Sequence, residues 1–107
     1  MNKKIIDLND KNQQEILSEN KNLLVVFSAR WCGPCKMLNP VLEEILNTNG
    51  VNTSIAKVDV DTSPGISSIM KIRGVPSIFF FKNGKLLEKF SESASRNNII
   101  KFIKNNE

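Results

Sequence analysis

The feature that most constrains the fold is a continuous apolar run followed directly by an amphipathic helical pattern. Residues 23–27 are all apolar, and the strand predicted here over 23–28 is typical of one buried on both faces of a sheet. Residues 34–47 then carry apolar side chains at a period near 3.6, which predicts a helix with one buried face. That face is expected to contain Met37, Leu38, Val41, Leu42, Ile45 and Leu46.

The remaining segments predict a sheet of parallel and antiparallel strands. Further strands are expected over residues 3–6, 53–60, 76–81 and 86–90, and further helices from a cap at Asp10 to about Asn20, from Pro64 to near Gly74, and after a cap at Ser95. The central strand–helix–strand unit joins parallel strands, whereas the Asn83-Gly84 hairpin adds an antiparallel edge. We therefore predict an α/β fold, a mixed sheet with helices on both faces, in a single domain over residues 1–107.

The charge pattern gives no indication of a nucleic-acid or membrane partner. The net charge is +4, and the basic residues are scattered, with Lys3-Lys4 as the only adjacent pair. A nucleic-acid interface typically has a stripe of basic residues interspersed with exposed aromatic residues, and the sequence shows no such stripe. No apolar run approaches the roughly 20 residues of a spanning helix, and residues 1–10 lack the apolar core of a secretory signal. We therefore expect a cytoplasmic protein.

The chemistry is expected at Cys32-Gly33-Pro34-Cys35, between the buried strand and the amphipathic helix. A helix N-terminus has unpaired N–H groups and a partial positive charge, so a thiol placed there loses its proton more readily. Two intervening residues put the cysteines one helical turn apart, within the Cα–Cα range of about 4.4–6.8 Å that a disulfide requires. The pair is therefore predicted to open and close as a redox disulfide.

The same geometry assigns a role to each cysteine. Cys32, at the helix start with an exposed sulfur, is predicted to be the nucleophile that attacks a substrate disulfide. Cys35, one turn inside, is predicted to resolve the mixed disulfide. Trp31 directly precedes the nucleophile, and we expect it to shield the site.

Three other interpretations of the two cysteines remain open but are disfavoured. A zinc site needs about four ligands, and the chain has no histidine and no third cysteine, so no metal is predicted. An inert disulfide closing so small a loop would gain little stability from chain entropy. Two free core cysteines would not explain the Gly-Pro spacer or the position at a helix start.

Residues 27–36, FSARWCGPCK, resemble the thioredoxin family closely. The resemblance extends to Pro40, to residues 57–61 (KVDVD), to residues 73–76 (RGVP) and to residues 81–84 (FKNG), so it covers essentially the whole chain. It implies the thioredoxin fold, a central mixed sheet flanked by four helices. It also implies a cis Val75–Pro76 bond that places backbone beside the cysteines to pair with the substrate chain.

The resemblance further implies function. Gly33-Pro34 is the spacer typical of reducing members, so the partners would be oxidised proteins. Re-reduction would come from an NADPH-dependent flavoprotein, thioredoxin reductase, with no cofactor resident on this chain and the chain acting as a monomer. Lys57 would support the site. A second hypothesis is a thioredoxin-fold binding subunit of a larger complex; an oxidase or isomerase is disfavoured by the Pro spacer.

Two positions depart from the family pattern. Val26 occupies the position of a buried Asp on the strand behind the motif, which in the family is thought to move a proton to or from the resolving cysteine and to pair with the lysine matching Lys57. Asp59, on the same strand face as Lys57, is expected to stabilise that lysine instead. Glu92 stands where the family usually has Gly on the substrate-facing surface. Its carboxylate is expected to narrow partner choice or to disfavour acidic substrates, or else to be a tolerated loop change.

We predict that the wild-type chain is more oxidising than its Val26→Asp variant. A buried carboxylate near the thiols opposes thiolate formation, so its absence favours the reduced form. The two reduction potentials, measured against glutathione, test this. Equal potentials, or a more negative potential for the wild type, would contradict it.

Overall fold

The sheet has five strands and is flanked by four helices. The computed structural model describes residues 3–107. The elements in chain order are β1 (Ile6–Asp7), α1 (Gln13–Glu19), β2 (Asn22–Ser28), α2 (Gly33–Leu46), β3 (Ser54–Asp59), α3 (Pro64–Ile69), β4 (Ser77–Lys82), β5 (Lys85–Lys89) and α4 (Arg96–Asn106). The strand order across the sheet is β1-β3-β2-β4-β5. No helix within residues 3–107 is long and apolar enough to cross a membrane.

Strand β2 lies at the centre of the sheet. It pairs in parallel with β3 and antiparallel with β4, and β1 and β5 complete the two edges. Val26, in the middle of β2, lies opposite Lys57 on one neighbour and Ile78 on the other. The predicted mixed sheet is therefore confirmed, and the buried apolar run forms its central strand.

The helices bury their apolar residues on both faces of the sheet, as predicted. One core cluster joins α2 and α4 to the sheet through residues such as Leu42 and Ile103, and a second lies against α1 and α3 and includes Ile66. Met37 was expected on the buried face of α2, but its side chain is 79% exposed. Met37 instead lines a surface groove with Pro34 and Pro76, whereas its neighbour Leu38 is buried in the core.

Asp10 caps a different helix from the predicted one. Helix α1 begins at Gln13, and the residue before it makes no side-chain cap. The Asp10 carboxylate instead accepts hydrogen bonds from the backbone N–H groups of Gly65 and Ile66, at 2.9 and 2.8 Å, in the first turn of α3. Those partners lie 55 and 56 residues along the chain, so only the folded sheet brings them together. Ser95 caps α4 as predicted, accepting from the N–H of Asn98.

Lys71 follows α3 in the left-handed backbone region, with φ of 55°. Asn83 and Gly84 are also left-handed, as the predicted hairpin turn requires. At Lys71 the conformation ends the helix: its N–H donates to the Ser68 carbonyl, and the next N–H donates to that of Ser67. A β-carbon is unfavourable in this conformation, so a lysine here carries backbone strain that glycine would not.

We expect Lys71→Gly to stabilise the fold by about 0.5–1 kcal/mol, because it removes the left-handed penalty at a modest cost in unfolded-chain entropy. Urea unfolding measures the difference. Lys71→Ala is the matched control, since it removes the charge and keeps the β-carbon, and it should leave stability near that of the wild type. If alanine and glycine shifted stability equally, the backbone explanation would be wrong.

Candidate active site

The two cysteines meet at the N-terminus of α2, joined as a disulfide with their Cα atoms 5.3 Å apart. Cys32 is the N-cap residue, and its sulfur accepts a hydrogen bond from the backbone N–H of Cys35 at 3.2 Å. Pro34 lies in the first turn of α2. Proline is tolerated there because a backbone N–H at this position would have no acceptor within the helix. The end of β2 thus delivers Cys32 to a helix terminus whose free N–H groups favour negative charge on sulfur.

Neither sulfur projects freely into solvent in this disulfide form. Cys32 is 5% exposed and Cys35 is 3% exposed, and both pack with Ala29, Val60 and Val75. The expectation of an exposed Cys32 sulfur is therefore wrong for the oxidised state. The reason is that its sulfur is bonded to Cys35 and lies 3.8 Å from the carbonyl oxygen of Val75.

The loop before β4 forms the opposite wall of the site. The Val75–Pro76 peptide bond is cis, as the resemblance implied. Val75 is the residue whose carbonyl oxygen faces the Cys32 sulfur. Gly33 lies on the surface beside the disulfide, and a β-carbon there would have no neighbour within 4 Å. The disulfide is therefore flanked by open surface on one side and by backbone on the other.

Trp31 lies at the surface of the protein. Its side chain is 71% exposed, and its indole N–H donates to the carboxylate of Asp61 at 3.0 Å. With Val60, Arg73 and other residues it lines a groove of about 330 Å³ next to the disulfide. Asp61 was visible in the KVDVD segment, but nothing in that segment indicated that it would bind the indole.

A second cavity, of about 460 Å³, lies behind Cys35. Its charged and polar lining includes Asp7, Arg30, Lys36, Asn39, Lys57 and Asp59. Lys57 Nζ donates to the side-chain oxygen of Asn39 at 2.5 Å, whereas Asp59 pairs with Arg30 at 3.3 Å. The expected partnership of Asp59 with Lys57 is therefore wrong, since a neutral amide takes that place. No motif in the sequence indicates this role for Asn39.

Val26 completes the surroundings of Lys57. It is 1% exposed and lies directly opposite Lys57 in the β2–β3 ladder. At this position β2 therefore contributes an apolar valine side chain to the core, and no carboxylate. Within residues 3–107 there is also no group of three or more Cys, Asp or Glu side chains that could hold a metal ion.

A disulfide between a helix N-cap and the first turn of that helix, set against a cis-proline loop, defines the class of protein. Such a site exchanges dithiol and disulfide states, because the cysteines are in bonding range and the helix terminus favours the thiolate. The chain is a thiol–disulfide oxidoreductase.

Comparison with known proteins gives the family. The thioredoxin family model matches residues 4–105. A thioredoxin of Chlorobaculum thiosulfatiphilum is 40% identical over 101 residues, covering 94% of each chain, and one of Mycoplasmoides gallisepticum is 39% identical over 84% of this chain and 89% of its own. A mutant thioredoxin of Halobacterium salinarum superposes with a TM-score of 0.85 at 28% identity, covering 95% of this chain and 89% of that one. The chain belongs to the thioredoxin family, and its activity is that of a protein-disulfide reductase.

We expect Asp61→Ala to release the Trp31 indole. The variant removes the only hydrogen bond of the indole N–H among the described residues, worth about 1 kcal/mol or less at an exposed site. Trp31 is the only tryptophan, so the fluorescence anisotropy of the protein reports on this ring alone, and it should fall. Asp61→Asn, which keeps an acceptor oxygen, should retain most of the wild-type anisotropy. An unchanged value in Asp61→Ala would show that the hydrogen bond does not hold the ring.

Proposed function

We propose that the chain reduces disulfides of oxidised proteins by two successive exchanges. The Cys32 thiolate attacks one sulfur of the substrate disulfide, forms a mixed disulfide and expels the other sulfur as a thiolate. Cys35, once deprotonated, attacks the Cys32 sulfur and releases the second substrate thiolate. The products are the Cys32–Cys35 disulfide and a substrate dithiol, so two electrons pass from protein to substrate and the two thiol protons end on the substrate.

The observation that carries this assignment is the hydrogen bond from the Cys35 N–H to the Cys32 sulfur. That donor, together with the helix terminus, stabilises negative charge on Cys32 in particular. The Cys35 sulfur does not occupy the N-cap, because Cys35 lies inside the first turn of α2. The division of labour therefore follows from which sulfur occupies the N-cap.

The proposed docking surface for the substrate chain is the rim around the disulfide. Gly33 and Pro34 leave one side unobstructed, and Trp31 presents an exposed aromatic face on the other. The substrate backbone would run along Val75–Pro76, whose carbonyl group faces the reacting sulfur. Backbone polar groups bind an extended chain through main-chain hydrogen bonds, and specificity then depends on the neighbouring surface.

Lys57 is proposed to support the second exchange. It lies with Cys35 around the same cavity and donates to the neutral Asn39, and among residues 3–107 it makes no ion pair, although Asp7 and Asp59 also line the cavity. A cation near a thiol favours the thiolate. With Val26 in place of a carboxylate, we propose that the Cys35 proton leaves through this polar cavity to solvent or to the departing substrate thiolate.

We also propose the cellular setting that the family resemblance implies. The chain would act as a monomeric single domain in the cytoplasm and take its electrons from an NADPH-dependent thioredoxin reductase. A mixture of NADPH, that reductase and oxidised insulin should consume NADPH only when this chain is present. The alternative is a thioredoxin-fold binding subunit of a larger complex. The position of both cysteines in bonding range argues against a purely structural role of this kind.

We predict opposite behaviour from the two single cysteine variants. Cys35→Ser should stop at the first exchange and accumulate a covalent complex with an oxidised protein such as insulin, whereas Cys32→Ser should form little or none. Both should lose catalysis of dithiothreitol-driven insulin precipitation and fall to the uncatalysed rate. Mass spectrometry of the non-reduced mixture identifies the complex and the linked residue.

The reverse pattern, with complexes trapped through Cys35 in Cys32→Ser, would overturn the assignment of roles. The double variant Cys32→Ser/Cys35→Ser is the control for non-covalent binding. Partners retained equally by that variant would favour the binding-subunit hypothesis.

A further inference from the structure

A basic groove adjoins the Trp31 groove along residues 73–75, which line both. It has a volume of about 630 Å³, and its cationic residues are Lys71, Arg73 and Lys89. Its remaining lining is Phe90 and the backbone segment 74–77, and it contains no carboxylate. Three positive charges therefore surround one concave surface that contains no negative one.

The three cations come from different parts of the fold. Lys71 is held in the left-handed turn that ends α3, and Arg73 follows in the loop. Lys89 belongs to β5, and its ammonium lies 5.7 Å from the ring centre of Phe79, which limits where it can point. All three residues are exposed, and among residues 3–107 none has a carboxylate within ion-pair distance. Tertiary structure therefore brings the three cations together, and the exposed Glu92 is not among the residues that line the groove.

The left-handed backbone of Lys71 is a second observation at the basic groove. The turn needs a left-handed residue, which glycine supplies most readily, and the chain places a lysine there instead. Non-glycine residues in this conformation are uncommon and often lie at ligand-binding positions. The side chain at this position contributes one of the three charges of the groove.

The groove is continuous with the proposed path of the substrate. Segment 74–77 forms its wall, and the same segment includes Val75, whose carbonyl oxygen lies 3.8 Å from the Cys32 sulfur. A chain whose cysteine reacts at Cys32 therefore passes the edge of the groove within a few residues of that cysteine. This continuity favours a segment of the protein substrate as the occupant over an independent ligand.

We propose that the basic groove selects protein substrates that carry acidic side chains close to the disulfide being reduced. The proposal rests on the proposed function, because it assumes that substrates react at Cys32. Complementary charge at the rim of an interface mainly accelerates association and disfavours wrong partners. The groove would therefore raise the rate constant for acidic substrates and leave the chemistry of exchange as it is.

The test compares peptides that differ only in charge. Each probe is a disulfide-linked homodimer of a short peptide with one central cysteine, flanked on its N-terminal side, its C-terminal side or both by two Asp, two Asn or two Lys residues. The reduced protein is mixed with each probe at low ionic strength, the reaction is stopped with acid, and the peptide thiol is quantified by chromatography. One dithiol and one peptide disulfide give one protein disulfide and two peptide thiols.

The wild type should reduce at least one Asp probe about fivefold faster than its Asn counterpart, and Lys probes more slowly, since exposed ion pairs each change such constants by small factors. The preference should shrink towards unity as salt is raised to about 1 M, where the Debye length falls to about 3 Å. In Lys71→Glu/Lys89→Glu the ratio of the Asp to the Asn rate constant should fall below one. Lys11→Glu/Lys101→Glu, which makes the same change in net charge at exposed positions elsewhere, should keep the wild-type ratio.

Lys71→Gly separates the function of the side chain from its effect on the fold. It should raise the urea midpoint and at the same time lower the Asp-to-Asn ratio, so a loss of preference could not be assigned to unfolding. Equal rates for Asp and Asn probes in the wild type, a preference that survives in the groove variant, or an equal loss in the control variant would overturn the proposal. Failure of the wild type to reduce any probe or insulin would instead overturn the proposed function.

Discussion

The burial of β2 on both faces is the constraint on which the rest of the structure depends. Hydrogen bonds to β3 and β4 satisfy its backbone on both edges, and the two core clusters cover its side chains above and below. A strand held in this way has one position and one register, so the residue after its end has a defined location. β2 ends at Ser28, and residues 29–31 then lead to Cys32, the N-cap of α2, whose sulfur accepts a hydrogen bond from the N–H of Cys35.

The electrostatic surroundings of the disulfide are divided between two sides. Behind Cys35, Lys57 has a neutral partner in Asn39, Asp59 pairs with Arg30, and Val26 closes the core without a charge. On the other side, the cis-proline loop leads into a groove of three cations. The charged residues that line the outer groove are all cations. On the inner side, Asp7 and Asp59 line the same cavity as Arg30, Lys36 and Lys57, so charges of both signs surround Cys35.

Local patterns predicted the parts of the fold that depend on neighbouring residues. The apolar run of β2, the period of α2, the Asn83-Gly84 turn and the Ser95 cap all appear where expected, to within a residue or two. Two contacts that the sequence did not reveal share one physical cause. Asp10 caps a helix 55 residues away, Asp61 holds the indole of a residue 30 positions earlier, and these partners become neighbours only when the sheet has formed.

The sequence by itself determined the redox chemistry of this protein, because a CGPC segment between a buried strand and a helix start needs only local geometry to bring two sulfurs into bonding range. It also determined the mixed sheet and the placement of helices on both faces, through hydrophobic periodicity. Tertiary structure alone decided which polar groups surround the disulfide. Asn39 meets Lys57, the Val75 carbonyl faces Cys32, and Lys71 and Lys89 converge on one groove, since each of these contacts joins elements whose separation in space no short-range pattern encodes.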